Sequence, residues 1–453
     1  MRFCRVLATK ALRCADTPNS IVKGVPPPRF PAPLPRGQPK NAAVGAVAVN
    51  CYTDDVSSQA WLLEGSCRAP VLHLPSRILL TPIEATHMRF QFFTNSLLPA
   101  LVAACVAGCS SKDTMNKDST LSAVTVRADT VSAMAAPNAQ MQQVLDQLGA
   151  LGGKPIETLS AAEARKQPTP TDAVKALLTK SGKSAAPDPS VSSVDRTIAG
   201  PAGPLPVRIY TPKSGTGPFP VVVYYHGGGW VIANKDVYDG GARALAKLAS
   251  AVVVSVDYRQ GPEHKFPAAH DDAFATYEWA LKNAASIKGD PKRIAVAGES
   301  AGGGLAVATA IMARDRKVQT PLAIVSVYPI AGTDTTTSSY VENAKAKPLN
   351  RAMMSWFFDN YLNGAQDRAN TRVNLVAADL KGLPPTTIIN AQIDPLRADG
   401  EILAQKMKGA GVQVTQKTYP AVTHEFFGMG AVVDSAKDAE QYAADALKSA
   451  FGR

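Results

Sequence analysis

Beyond residue 109 the chain contains no cysteine: Cys4, Cys14, Cys51, Cys67, Cys105 and Cys109 are all that it has. Residues 110–453 therefore hold neither an internal disulfide nor a cysteine-based metal site. No stretch offers the ~18 uninterrupted apolar residues of an ordinary membrane-spanning helix. Charge is sparse, at 19% of residues, and its basic surplus is unevenly placed. Residues 1–87 hold 10 Lys/Arg against 5 Asp/Glu, whereas residues 110–453 hold 37 against 32 with no dense basic run. A groove that tracks a phosphate backbone needs a concentrated basic face, so nucleic acid is not an expected partner. Histidine is rare as well, and only His424 lies beyond residue 300. What is present is apolar material, 45% of residues, enough to bury a sizeable core and to exclude wholesale disorder. A length of 453 residues allows two or three domains, or one large α/β domain with attachments.

Residues 88–109 read as an export signal. Arg89 supplies a short positive head, and Leu97 to Gly108 form a 12-residue apolar run broken only by Pro99. Such a run is too short to cross a bilayer but suits a signal-peptide core. It ends in Val106-Ala107-Gly108-Cys109, which resembles the lipobox of bacterial lipoproteins. The resemblance implies lipidation of Cys109 as the first mature residue and a membrane partner reached through that lipid, in the bacterial cell envelope. Ser110 after the cysteine implies passage to the outer membrane if the source is Gram-negative. A buried apolar helix and an ordinary signal peptide are the competing readings. Because such a signal works at a chain terminus, Met88 is the expected start. Residues 1–87, rich in proline (Pro26-Pro27-Pro28, Pro31, Pro33, Pro35) and without sustained periodicity, are expected to be disordered or an over-extended gene reading, with a basic organelle-targeting leader as the rival. Residues 110–137 read as a flexible polar tether.

From Asn138 a helical period sets in. Met141, Val144, Leu145, Leu148 and Leu151 follow an i, i+3, i+4, i+7 pattern that Gly152-Gly153 stops. Ser160 and Glu163 have capping-box spacing, and Val174, Leu177 and Leu178 mark another short helix before Ser181-Gly182. With the linker opened by Pro187 and Pro189, residues 138–190 form a small helical unit. Residues 191–453 then alternate between strand and helix signals. Apolar or β-branched runs occur at Val207–Tyr210, Val221–Tyr225, Ala251–Val256, Ile294–Ala297, Ala323–Tyr328, Thr386–Ala391 and Val414–Tyr419. Amphipathic segments such as Ala242–Leu248, Ala273–Ala284 and Leu305–Arg314 lie between them. This pattern predicts an α/β fold whose mostly parallel central sheet is covered by helices on both faces. A dinucleotide-binding α/β fold competes, but no G-x-G-x-x-G joins the first strand to its helix.

The strongest chemical signal is Gly298-Glu299-Ser300-Ala301-Gly302, set between the strand signal ending at Ala297 and the helix signal from Leu305. In a nucleophile elbow the serine occupies a strained strand-to-helix turn, and glycines let neighbouring backbone pass close to it. A glycine-rich phosphate loop is the alternative, but Glu299 is unsuited to an anion site and no lysine follows. His226-Gly227-Gly228-Gly229-Trp230 directly follows the Val221–Tyr225 strand. Glycine N–H groups free of side chains can converge on the oxygen of a tetrahedral intermediate, so beside an elbow this loop reads as an oxyanion hole. The catalytic order Ser, Asp/Glu, His leaves His424 as the only base. Asp394, close behind the Thr386–Ala391 strand and before Pro395, is the preferred acid, and Asp399 is the fallback.

Taken together these strings resemble the hormone-sensitive-lipase-like family of α/β-hydrolase carboxylesterases over roughly residues 138–450. The likeness also covers Asp257-Tyr258-Arg259, the run from Pro262 to Ala269, and Asp394-Pro395-Leu396-Arg397. It implies the α/β-hydrolase fold, with residues 191–453 as the catalytic domain. It implies a small helical cap built from the N-terminal helices and part of the segment after residue 340. It further implies a triad of Ser300, Asp394 and His424, oxyanion donors on the N–H groups of Gly228, Gly229 and Ala301, and acyl-enzyme hydrolysis of a small ester without metal or organic cofactor. Short-chain or acetyl esters are expected in preference to long-chain triglycerides. Trp230, Met353, Met354, Trp356, Phe357 and Phe358 are candidates to narrow an acyl pocket, with an amphipathic core helix as the equal alternative for residues 353–358. Two positions depart from the family pattern. Gln260-Gly261 replaces an apolar residue and alanine, and Glu425 stands where glycine is common, either raising the pKa of the base or pointing to solvent. An amidase or peptidase uses the same triad, and a non-catalytic binding protein is the more distant alternative.

Overall fold

The computed structural model describes residues 135–452. Cys109, the signal segment 88–109, residues 1–87 and almost all of the 110–137 tether lie outside the described residues. The strands are β1 (Val191–Gly200), β2 (Gly203–Pro212), β3 (Phe219–Tyr225), β4 (Val252–Val256), β5 (Gly289–Glu299), β6 (Ile324–Val327), β7 (Thr386–Ile393) and β8 (Val414–Thr423). They form one sheet in the order β1-β2-β4-β3-β5-β6-β7-β8. β2 runs antiparallel to both β1 and β4, and every other neighbouring pair is parallel.

The reason is visible in the side chains. β3 and β4 are buried along their whole length, because helices cover both faces of the sheet. Val221, Val223 and Tyr225 enter one core layer, while Val222 and Tyr224 enter the other. Alternation is lost from such strands, which is why they read as continuous apolar runs. β1 is the strand that periodicity did not predict. It lies at the sheet edge, only Val191 and Ile198 of its ten residues are buried, and the exposed stretch between them is polar except for Val194. Its register rests on pairing with β2, where Asp195 faces Arg208 and accepts from its Nε at 2.6 Å.

In chain order the helices are α1 (Ala139–Ala150), α2 (Ala161–Ala164), α3 (Pro170–Lys180), α4 (Asp239–Leu248), α5 (Ala268–Asn283), α6 (Ala301–Asp315), α7 (Ser338–Glu342), α8 (Arg351–Tyr361), α9 (Ala365–Ala369), α10 (Arg397–Gly409) and α11 (Asp434–Ala450). α5 and α6 begin earlier than the apolar pattern suggested. In α6 the early start takes Gly302, Gly303 and Gly304 into the helix, against their intrinsic propensity. Close backbone packing, described below, overrides that propensity.

The N-terminal helices begin at side-chain caps. Asn138 accepts from the N–H of Met141, Ser160 and Glu163 form the expected capping box, and Thr169 and Asp172 form another. Arg165 ties this unit to the catalytic body. Its Nε donates to Val231 O at 2.8 Å, its guanidinium donates to Gly261 O at 2.7 Å, and it grips both oxygens of Glu263 at 2.8 and 2.7 Å. Glu263 is largely exposed, so its ion pair is screened by water. The bonds to the half-buried carbonyls carry more of the attachment. Arg165→Ala is accordingly expected to lower stability by about 1–3 kcal/mol, and Glu263→Gln by less than about 1 kcal/mol. Urea unfolding of the two variants checks this, and equal losses would contradict the division.

Candidate active site

β5 ends at Glu299 and α6 begins at Ala301, so Ser300 alone makes the turn between them. Its backbone lies at φ 57° and ψ −120°, a conformation that L-residues seldom adopt and that needs support from its surroundings. Support comes from packing. A side chain at Gly302 would run into the carbonyl oxygens of Tyr225 and His226, and one at Gly298 would meet the carbonyl of Gly302. The glycines thus let the elbow press directly against the end of β3. The N–H of Ser300 donates to Val327 O at 2.9 Å, and the Ser300 carbonyl accepts from Ile330 at 3.1 Å, so β6 holds the turn from the other side.

The residues singled out on catalytic order come together here. Ser300 Oγ lies 2.9 Å from His424 Nε2, and His424 Nδ1 lies 2.7 Å from Asp394 Oδ2. The other Asp394 oxygen accepts from the N–H of Leu396 at 2.8 Å, which fixes the carboxyl orientation. All three residues are buried. With the proton on Nδ1, His424 donates to Asp394 and leaves Nε2 free to accept from Ser300. Asp399 lies elsewhere. Its Oδ2 accepts from the N–H groups of Ala331 and Gly332 at 3.0 and 2.8 Å, so it anchors the loop after β6, and burial pushes its pKa up to about 7. The ring of Tyr328 packs 4.4 Å from that of His424 and donates its hydroxyl to Glu299, which Tyr224 also contacts. Burial raises the Glu299 carboxyl well above the usual range, and the two hydroxyls oppose that shift. Glu299 thus braces the Tyr328 ring that packs on the imidazole.

The loop after β3 faces Ser300. Gly228 and Gly229 have φ of 95° and 59°, and side chains at these positions would collide with Ile232 O and the Phe357 ring. Among the described residues the N–H groups of Gly228 and Gly229 have no backbone carbonyl partner, and Ala301, at the open first turn of α6, has none either. Sequence reasoning assigned no role to Tyr258, although its hydroxyl organises this loop. It donates to His226 O at 2.8 Å and approaches Gly227 O at 3.3 Å, while its ring stacks on His226 at 4.2 Å. Turning those carbonyls toward Tyr258 leaves the following amides available to an anion.

Ser300, His424, Gly228 and Gly229 all line one cavity of about 680 Å³. Residues of the N-terminal helical unit, including Leu148 and Ile156, form part of its wall, as do Leu349, Met353 and Phe357 from the segment around α8. The 353–358 cluster therefore divides. Met353 and Phe357, one turn apart, face the cavity, whereas Met354 and Phe358 are core residues, and Trp356 donates to Leu159 O at 3.0 Å. Trp230 must be corrected. It does not line the cavity, because its φ of 61° turns the ring into the core, where it stacks on Tyr361 at 4.9 Å and lies beside Phe358.

A family model described as the alpha/beta hydrolase fold matches residues 222–428. A carboxylesterase of Mycobacterium tuberculosis is 42% identical over 253 residues, covering 54% of this chain and 79% of that protein. The chain belongs to the α/β-hydrolase family, in its hormone-sensitive-lipase-like branch. An ethyl acetate hydrolase of Pseudomonas putida is 31% identical over 310 residues, covering 67% of this chain and 95% of that one. The solved structure of an esterase from Pyrobaculum calidifontis matches with a TM-score of 0.62 at 37% identity, covering 69% of this chain and 98% of that one.

The two departures from this family's usual pattern have structural explanations. Gln260 uses its amide to donate to Ile232 O and Ala233 O, both at 2.9 Å, in the stretch that follows the glycine loop. Gly261 lies so close to α8 that a Cβ would sit 2.6 Å from Asn360 O, so alanine does not fit unless that helix shifts. Glu425 does not point to bulk solvent. It lines the cavity, accepts from the Tyr238 hydroxyl at 2.6 Å, and places Oε1 3.9 Å from His424 Nε2.

Burial alone lowers the pKa of His424. The charge of Asp394, its hydrogen bond and the charge of Glu425 oppose this and prevail, so the imidazole lies above its ordinary value. His424 accepts a proton from Ser300 only when neutral, so activity is expected to fall as pH drops through this raised pKa. Glu425→Gln removes one raising charge and leaves Asp394 in place. The acid limb of the kcat/KM profile is therefore expected at lower pH in this variant, and a limb that stays or moves upward contradicts the electrostatic account.

Proposed function

We propose that this carboxylic ester hydrolase works by acyl-enzyme chemistry at Ser300, on small esters with short acyl chains. The observation that carries the mechanism is the continuous Asp394–His424–Ser300 hydrogen-bond path, beside a cavity lined by Gly228 and Gly229, whose amides have no backbone partner among the described residues. His424 takes the Ser300 proton as Oγ attacks the ester carbonyl. The N–H groups of Gly228, Gly229 and Ala301 receive the oxyanion. Asp394 holds the imidazole tautomer and stabilises the imidazolium that forms. His424 then gives the proton to the departing alcohol, and water releases the acid by the reverse use of the same groups.

Substrate size follows from the cavity. Its volume of about 680 Å³ falls within the range of small-ligand pockets, and Met353 and Phe357 restrict one wall. The 31% identity to an ethyl acetate hydrolase supports the same short-ester reading. Ser300→Ala is expected to reduce hydrolysis of p-nitrophenyl acetate by on the order of 10⁴ or more, and to abolish covalent labelling by an organophosphonate. Within an acyl series, acetate and butyrate are expected to exceed palmitate. Undiminished turnover in Ser300→Ala, or faster cleavage of peptide anilides than of any ester, would defeat this reading.

We also propose attachment of the enzyme to the cell envelope through a lipid on Cys109. The ordered sequence of Arg89, the apolar run and the Val106-Ala107-Gly108-Cys109 box supports it. Expression in a Gram-negative host is expected to give a globomycin-sensitive, membrane-associated protein carrying a lipid mass on Cys109. Release of Cys109→Ala from the membrane fraction is the matching outcome, and unchanged membrane association of this variant would contradict it.

A further inference from the structure

Glu425 occupies a position where the backbone itself disfavours it. Its φ of 70° lies in the left-handed region, which glycine adopts freely and a side chain with Cβ does not. A residue kept there needs compensating contacts. One contact is plain: the Tyr238 hydroxyl donates to Oε1 at 2.6 Å. Tyr238 in turn lies against the glycine loop that follows β3. A Cβ on Gly227 would collide with the Tyr238 hydroxyl and would lie 3.1 Å from the Ser300 Cβ. The Tyr238–Glu425 pair therefore sits beside the reacting serine.

Tyr238 uses only part of what the carboxylate offers. Among the described residues it is the sole hydrogen-bond donor to Glu425, although a carboxylate has two oxygens and several acceptor positions. The Glu425 side chain is 20% exposed, and it lines the same cavity as Ser300 and His424. Its Oε1 lies 3.9 Å from His424 Nε2, the atom that returns a proton to the departing alcohol. The leaving oxygen must approach that nitrogen within hydrogen-bond reach. The carboxylate and the leaving group are thus neighbours around one atom.

We propose that Glu425 selects the alcohol half of the ester. Its unused oxygen accepts from a hydroxyl carried next to the ester oxygen, so esters of diols and other polyols are preferred to esters of simple alkanols. A leaving group with its own negative charge is disfavoured by the same carboxylate. Tyr238 holds the carboxylate in place for this contact. The inference rests on the esterase reading above, which it extends from the acyl side to the alcohol side.

The test compares kcat/KM of the full chain for 2-hydroxyethyl acetate, ethyl acetate and acetoxyacetate. A charge-assisted hydrogen bond predicts about tenfold preference for the hydroxyethyl ester over ethyl acetate, with acetoxyacetate the poorest of the three. Glu425→Gly removes the carboxylate and relieves the backbone, and is expected to bring the hydroxyethyl-to-ethyl ratio within about twofold of unity. Glu425→Gln keeps a neutral acceptor and is expected to fall between. Because each ratio is taken on one protein sample, loss of folded material does not change it. A wild-type ratio near one, or a ratio unaltered in Glu425→Gly, overturns the assignment while leaving ester hydrolysis intact. Failure to cleave any of these esters, together with no covalent labelling of Ser300, defeats the esterase reading itself.

Discussion

The site depends on one close approach of backbone to backbone. Where β5 turns into α6 at Ser300, the chain presses on the end of β3 with no side chain between them, since Gly302 faces the carbonyls of Tyr225 and His226. That contact has two consequences. It holds Ser300 at φ 57°, lifting its hydroxyl out of the helix and toward His424. It also sets the loop that follows β3 beside the same hydroxyl, so Gly228 and Gly229 line the cavity that Ser300 faces. The three glycines inside α6 weaken that helix locally by roughly 1 kcal/mol each relative to alanine. α6 withstands this because it is buried through nearly all of its length and packs on β3, β5 and β6.

The second organising feature is carboxyl chemistry around a buried imidazole. Asp394 reaches Nδ1 directly, and Glu425 stands 3.9 Å from Nε2. These opposing sides have different functions. The Asp394 contact selects the tautomer, whereas Glu425 acts on the nitrogen that exchanges protons with serine and substrate. Glu299 is a third carboxyl nearby, but burial favours its neutral form, and it works through Tyr328 by bracing the ring behind His424. Burial raises the Glu425 carboxyl as well, and Asp394 is as buried as Glu299, so hydrogen-bond partners, more than burial or residue type, separate the three.

Legibility in the sequence follows the range of the forces involved. The central strands could be read because burial on both faces leaves continuous apolar runs, as in Val221–Tyr225. The edge strand β1 could not, because it is set chiefly by pairing to β2 and most of its side chains meet water. The triad was readable because chain order in the family reduces the base to His424. Choosing Asp394 over Asp399 rested on position relative to β7, and in the structure Asp399 lies within α10, where its carboxylate reaches Ala331 and Gly332. Trp230 misled because an aromatic beside an oxyanion loop suggests a pocket wall, while its direction depends on a positive φ that the string does not disclose. Tyr238 and Tyr258 act on the glycine loop from separate segments, so no local pattern marks them.

Arg165 connects these levels. Its bonds run to the carbonyls of Val231 and Gly261, which flank the glycine loop and the close approach to α8. Gly261 itself donates to Trp230 O at 2.9 Å, so the guanidinium, the loop and the buried tryptophan form one hydrogen-bonded path. Gln260 ties the same stretch to Ile232 and Ala233. Arg165 also lines the cavity that this segment helps to enclose. A displacement of the N-terminal helices therefore acts on two things together: the space of the cavity and the glycine loop beside Ser300. The helical segment and the glycine loop are thus joined by one hydrogen-bonded path, and the glycine at 261, which lets α8 pack against it, is part of the same construction.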